Sequence, residues 1–239
     1  MTTAVSDKLE VLRASIARAA QKAGRAPEEV RFVLVTKTVP VERVREAYEA
    51  GVRDFGENRM QEFLAKENEL PADVCWHFVG HLQTNKVKDL LKHSAGAGGK
   101  IGLLHSMDRP ELAAEIERQA LLKGIREVPC LLQVNYSAEA SKGGFAPGDV
   151  AGFVAKLGND SPLSIRGLMT IGPLTEDESR VRASFRGMRE LREELRSKFP
   201  LRRWDILSMG MSADYEIAVE EGANLLRIGS AVFGAREAT

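Results

Sequence analysis

Eight short apolar, β-branched runs recur along this chain. Each stops at a polar or glycine-bearing turn, and stretches with helical apolar spacing separate them. The runs are 31–36, 52–55, 74–79, 101–104, 128–134, 164–170, 204–207 and 224–228. With 239 residues for eight units, each unit takes about 30 residues. A run that is apolar throughout is buried on both faces, and strands of that kind belong to a parallel sheet whose crossovers are helices. Eight such units close into a (β/α)8 TIM barrel of compact size, an α/β fold. The alternative is a doubly wound open sheet, which lacks support because no run is followed by a G-x-G-x-x-G turn. No linker or composition shift divides the chain, so one domain over 1–239 is expected.

An additional N-terminal helix is expected over 5–23, where Val5, Leu9, Leu12 and Ile16 recur at helical spacing and Gly24 stands at the stop. A long helix is expected over about 176–199, ended by Pro200. Asp108, with Glu111 three residues on, has the spacing of a capping box and is expected to cap the helix after the fourth strand.

The charge balance narrows the partners. Lys+Arg and Asp+Glu both count 34, which disfavours nucleic acid or an anionic membrane as the main partner. No window approaches the ~18 apolar residues of a membrane span, and the N-terminus has no apolar signal core. Cys75 and Cys130 both lie in apolar runs and read as buried free thiols, which suits a reducing compartment. A soluble, cytoplasmic protein is the expectation.

In a barrel, chemistry sits where strands end and the following loops begin. The polar residues there are Lys37, Glu57, Asn58, His77, His81, His105, Asn135, Thr170, Ser208 to Ser212, Arg227, Gly229 and Ser230. Ser208-Met-Gly-Met-Ser212 is small, hydroxylated and leads into a helix, whose free N–H groups and dipole favour a phosphate. Gly229-Ser230 supplies the same pieces after the eighth strand, and the seventh and eighth loops form the usual phosphate site of barrels. A strand-end lysine opposite a phosphate site suggests a phosphorylated carbonyl compound held as a Schiff base on Lys37. The attacking amine must be neutral, and partial burial favours that form. His77 and His81 are four apart but run from strand into loop, so they do not share a helix face as metal ligands would. No metal site and no nucleophile motif is expected. Lys142, beside Gly143-Gly144, is a second candidate amine and reads as exposed.

Several segments together resemble a known family. They are Thr36-Lys37 with Pro40, Phe55-Gly-Glu-Asn58 with Gln61-Glu62, and the run from Trp76 to Lys86. Ser141-Lys142-Gly-Gly-Phe145, Gly167-Leu-Met-Thr170, Leu207 to Asp214 and Leu226 to Gly234 follow in order. The combination is similar to the pyridoxal phosphate homeostasis protein family. The resemblance implies a barrel like the N-terminal domain of alanine racemase (PLP fold type III), with pyridoxal 5′-phosphate (PLP) bound as a Schiff base to Lys37. It also implies that Ser212, Gly229 and Ser230 hold the phosphate, with Ser208 in the same loop. Arg227 would face the pyridine nitrogen and Asn58 would lie beside the cofactor, with Met169 and His81 as further neighbours. Three positions depart from the family's common pattern: Arg59 stands where tyrosine is frequent, Thr36 for serine, and Ser230 for threonine.

The implied function is PLP homeostasis: holding the cofactor and passing it to apo PLP-dependent enzymes, without a substantial catalytic cycle and with no catalytic residues assigned. Arginine can only donate, so Arg227 would keep the ring nitrogen unprotonated and the ring a weak electron sink. Alanine racemase shares that arrangement but adds a base from a C-terminal domain, for which this chain leaves no length after its eighth strand. A PLP-dependent amino-acid racemase is the alternative, and a Schiff-base aldolase a weaker third reading. The family suggests a monomer or weak homodimer. Whether Lys142 or Lys86 holds a second PLP stays open.

Overall fold

A computed structural model describes residues 4–137, 139, 142–158 and 160–234. Its centre is a closed barrel of eight strands in sequence order. They are β1 (Arg31–Val35), β2 (Asp54–Glu57), β3 (Cys75–Phe78), β4 (Ile101–Met107), β5 (Val128–Gln133), β6 (Leu163–Met169), β7 (Ile206–Ser208) and β8 (Leu225–Ile228). Every neighbouring pair is parallel, and β8 closes onto β1 with Val33 opposite Arg227 and Leu34 opposite Ile228. The helices are α1 (Val5–Lys22), α2 (Val41–Glu49), α3 (Met60–Lys66), α4 (Val87–Lys92), α5 (Pro110–Lys123), α6 (Val150–Lys156), α7 (Glu178–Lys198), α8 (Tyr215–Glu220) and α9 (Ser230–Phe233). None of the described helices is long and apolar enough to cross a membrane.

Strand side chains alternate between two faces, and the alternation splits the apolar residues into two cores. Leu34, Leu104, Leu132, Leu168, Leu207 and Leu226 belong to the large core between sheet and helices. Their strand neighbours Val33, Leu103, Leu131, Met169, Ile206 and Leu225 form a separate small cluster, which fills the inside of the barrel. Two residues further along four of these strands, the inward positions turn polar: His105, Gln133, Ser208 and Arg227. This change from apolar floor to polar mouth follows from side-chain parity alone, and it sets where the site can be.

The N-terminal helix forms as expected. Its buried face is Val5, Leu9, Leu12 and Ile16, and it packs against α2, α8 and α9. Burying side chains of this size stabilises the fold by roughly 1.5–3 kcal/mol each. Arg25 ties the helix exit to the barrel through the carbonyls of Val219 and Ala223, at 2.9 and 2.8 Å.

Four local expectations need correction. Strand β4 continues to Met107, taking His105 and Ser106 out of the following loop. Both side chains find partners: Ser106 donates to Gly80 O at 2.5 Å, and His105 meets His77 and Ser208 inside the barrel. Asp108 does not cap α5, whose N-cap is Arg109 without a side-chain cap. Its carboxylate is taken by His81 and Arg109 instead. Cys130 is a buried free thiol, whereas Cys75 is only partly buried. Lys142 is not exposed: its Nζ reaches Gly172 O at 2.6 Å and Glu139 Oε1 at 2.8 Å. Ser141 lies outside the described residues.

Candidate functional site

The polar mouth is built from strand ends on both sides of the barrel closure. Lys37 follows β1 directly and is partly buried. The residues around it hold its loop in one shape. Thr36 donates from Oγ1 to Glu57 Oε1 at 2.6 Å. Thr38 takes a positive φ of 62°, a conformation that β-branched residues rarely adopt. Its N–H donates to Glu62 Oε2 at 2.6 Å. Backbone held in such a region persists only where its surroundings over-determine it.

Glu57, at the end of β2, is 1% exposed. Lys66 from α3 meets its Oε1 at 2.7 Å, while Oε2 is buried without a partner. Burial raises the Glu57 pKa, and the bonds from Lys66 and Thr36 only partly offset it. Asn58 follows, and its backbone lies so close to Gly80 that a side-chain carbon there would be 2.2 Å from Asn58 O. Only glycine fits at that approach, which fixes the second and third loops against each other.

Across the β1–β8 seam stands Arg227, 6% exposed. Nη1 donates to Ser208 Oγ and Nη2 to Thr170 O, each at 2.8 Å. Among the described residues no carboxylate lies within ion-pair distance of it. Burial pulls its pKa down to about 10, against the attraction of Asp214. Two of its five donors are used in these bonds. Ser208 is therefore beneath the guanidinium and fully buried.

The seventh and eighth loops meet through Ser212. Its Oγ accepts from Gly229 N–H at 3.2 Å and Ala231 N–H at 3.1 Å. Gly210 makes the turn possible with a φ of 93°, and Met211 N–H donates to Asp214 Oδ1 at 2.6 Å. The result is a small hydroxyl-bearing cradle at the start of α9, with Ser230 exposed at its edge.

The other candidates divide. His81 is 61% exposed, with Nδ1 2.8 Å from Asp108 Oδ2. Met169 is buried in the barrel's inner cluster, directly below the polar mouth. Thr170 Oγ1 is spent on Val134 O, and Asn135 on the carbonyls of Glu139 and Lys142. Lys86 is partly buried in a short 3-10 turn.

The sequence reading missed Lys66 and the contact of Asp108 with His81, and it missed that His77 and His105 touch. The parity of Leu103 and His105 was the available signal for an inward histidine. The fold also gathers Asp54, Cys75 and His77, whose donor atoms lie within 4.8 Å of one another. His77 Nε2 is 2.9 Å from Asp54 Oδ1 and 3.8 Å from Cys75 Sγ, so hydrogen bonds link the three side chains.

The family described as "Alanine racemase, N-terminal domain" matches residues 8–237. A pyridoxal phosphate homeostasis protein of Aquifex aeolicus is 41% identical over 232 residues, covering 97% of this chain and 98% of that one. A protein of the same description from Homo sapiens is 38% identical, covering 95% of this chain and 86% of its own. The PLP-bound structure of PipY from Synechococcus elongatus superposes with a TM-score of 0.80 at 34% identity, covering 96% of this chain and 100% of PipY. An alanine racemase of Clostridium difficile shares the fold at 14% identity, with a TM-score of 0.71 over 97% of this chain and 58% of the racemase.

Proposed function

This chain belongs to the pyridoxal phosphate homeostasis protein family, on the alanine racemase N-terminal-domain fold, and on that premise we propose that it binds PLP at the polar mouth and keeps it available to other proteins rather than consuming it in turnover. When bound, PLP supplies an aldehyde open to attack by a neutral amine and a ring that can withdraw electrons.

The residues present suit that group. Lys37, on a loop locked by Thr36 and Thr38, is the amine that takes the aldehyde. Ser212, whose Oγ accepts from Gly229 and Ala231 N–H and keeps its own hydroxyl proton to donate, would receive the phosphate together with the loop at Gly229, and Ser230 would add a hydroxyl. Gly229 keeps the cradle close to β1, since a side-chain carbon there would already stand 3.3 Å from Val35 O. Asn58 and His81 would neighbour the bound cofactor, as would Met169 from the barrel's inner cluster.

Arg227 is the observation that carries the reading. A buried guanidinium with no carboxylate in ion-pair distance among the described residues calls for another acceptor, and an unprotonated pyridine nitrogen is one. Holding that nitrogen by donation keeps a proton off it, which weakens the ring as an electron sink. Such a site retains its cofactor better than it activates an amino acid, so the homeostasis reading is preferred to a racemase. The place of work would be the cytoplasm, the recipients apo PLP-dependent enzymes, and the working unit one domain.

The test is to incubate the purified protein with PLP, remove the excess, and record the visible spectrum. A stable absorption band lost in Lys37→Ala is the expected result, and wild-type protein without a band sinks the proposal. Steady amino-acid turnover with Lys37-dependent deuterium exchange at Cα would move the assignment to a racemase.

A further inference from the structure

A line of hydrogen bonds runs from Arg227 through the inside of the barrel to its far end. Arg227 Nη1 is 2.8 Å from Ser208 Oγ. Ser208 Oγ is 3.2 Å from His105 Nδ1. His105 Nε2 is 2.9 Å from His77 Nδ1, and His77 Nε2 is 2.9 Å from Asp54 Oδ1. The five residues come from β8, β7, β4, β3 and β2. Ser208 and His105 are 0% exposed and His77 5%; Asp54, with 27% of its side chain exposed, carries the line to water.

The chemistry of the ends dictates a direction. Arginine only donates and an ionised carboxylate only accepts, while a neutral imidazole has one donor and one acceptor. With both imidazoles neutral, one arrangement satisfies every contact. Arg227 donates to Ser208, Ser208 to His105 Nδ1, His105 Nε2–H to His77 Nδ1, and His77 Nε2–H to Asp54. Every acceptor then faces the buried guanidinium, and the charge of Asp54 terminates the line. A second arrangement exists. If one proton enters from solvent, His77 holds two, His105 keeps its single proton on Nδ1 instead of Nε2, and the Ser208 hydroxyl turns away. Ser208 then accepts from both His105 and Arg227.

We propose that Ser208, His105, His77 and Asp54 are a positioning chain for Arg227, which points from guanidinium to carboxylate while His77 is neutral and reverses between His77 and Ser208 when His77 gains a proton. The reversal replaces an oriented acceptor beneath Arg227 with a shared one and brings a positive charge into the barrel. The strength of the guanidinium's hold on the cofactor ring thereby responds to the protonation state at the opposite end of the barrel. This rests on the reading that Arg227 faces the ring nitrogen.

The surroundings of the two histidines support an asymmetric pair. Burial drives the His105 pKa well down, with His77 and Arg227 adding to the effect. Burial also lowers that of His77, but the bonds from Asp54 and Cys75 outweigh it and the net shift is upward. The charged and titratable groups around His77 are Asp54 on β2, Cys75 on its own strand and His105 on β4. Arg31 on β1 acts on Asp54.

The chain has four histidines, so 15N-histidine NMR of the PLP-loaded protein can follow each imidazole across pH 5–9. His105 is expected to stay neutral while its protonated nitrogen switches from Nε2 to Nδ1 as His77 titrates. The visible PLP band is expected to shift with the same midpoint. Asp54→Asn keeps an acceptor oxygen at the half-exposed end but removes the charge, so it should lower that midpoint by about one pH unit. His77→Gln should remove the linked change in the band. A His105 tautomer that does not switch, or a band that stays constant through the His77 titration, overturns the proposal. A protein that never develops a PLP band would instead refute the Lys37 reading, and the tautomer switch remains readable in that protein by the same spectra.

Discussion

Lys66 Nζ lies 2.7 Å from Glu57 Oε1, and both side chains are at least nine-tenths buried. The same amine donates to Thr36 O at 2.7 Å. One residue from α3 thus holds the end of β2 and the residue before Lys37 in place. It also neutralises the carboxylate nearest that end of the strand.

Removing Lys66 strands a buried charge. Lys66→Met is expected to destabilise the fold by about 3–5 kcal/mol at neutral pH, measured by urea denaturation. Because burial already holds the Glu57 pKa above its unfolded value, the group favours folding below the unfolded value and loses that contribution as pH rises through the folded one. The variant should therefore be relatively more stable at pH 5 than at pH 7.5. Adding Glu57→Gln should recover most of the loss. A single variant as stable as wild type would show that Glu57 is not carrying charge.

Ser212 couples the seventh and eighth loops through two accepted N–H bonds. Ser212→Ala is expected to weaken PLP binding by about 10-fold or more, in line with the ~1.5–3 kcal/mol of hydrogen bonds to charged groups. The melting temperature should move little, since the loops are at the surface. Titration of the visible band measures the first and calorimetry the second; unchanged affinity would remove Ser212 from the phosphate cradle.

Glu221 gathers Arg182, Arg186 and Arg189 from α7 at 3.2, 3.1 and 3.4 Å. Burial alone would raise its pKa, but the bonds from Arg186 and Arg182 bring it below the usual glutamate value. A depressed folded pKa contributes stability above the unfolded value and loses it as pH falls through the folded one. Wild type should lose stability on acidification below about pH 4.5, and Glu221→Gln should show a smaller loss over that interval. Equal slopes in the two stability-against-pH curves would exclude Glu221 as a contributor.

The two thiols should separate by reactivity. Burial pushes the Cys130 pKa up to about 12, while Cys75 is partly exposed. At pH 8 a thiol reagent is expected to label Cys75 in the native protein and Cys130 only after unfolding. Mass spectrometry of the labelled peptides decides it, and native labelling of Cys130 would contradict its burial.

Much of the architecture is legible in the order of the residues. The eight apolar runs predicted parallel strands, and all eight formed in order around one barrel. The N-terminal helix followed from Val5, Leu9, Leu12 and Ile16. Lys37, Ser212, Gly229 and Arg227 were recognised as strand-end residues, and the barrel places them around its mouth. Other details were not legible. Asp108 had the spacing of a helix cap, but the contacts with His81 and Arg109 compete for the same oxygens. Lys142 followed a turn-like Ser-Lys-Gly-Gly pattern, yet the carbonyl of Gly172, thirty residues away, draws its amine inward. His105 looked like a loop residue because the apolar run ends at Leu104.

Strand and helix periods are written into the order of the residues, and with them which side chains can face inward. A strand's two-residue repeat makes that a local property. Which inward residues touch was decided only by tertiary structure. Closure of β8 onto β1 and the stagger between strands set those distances. Only that closure brings Arg227 and Asp54, far apart in the chain, to the two ends of one line of hydrogen bonds.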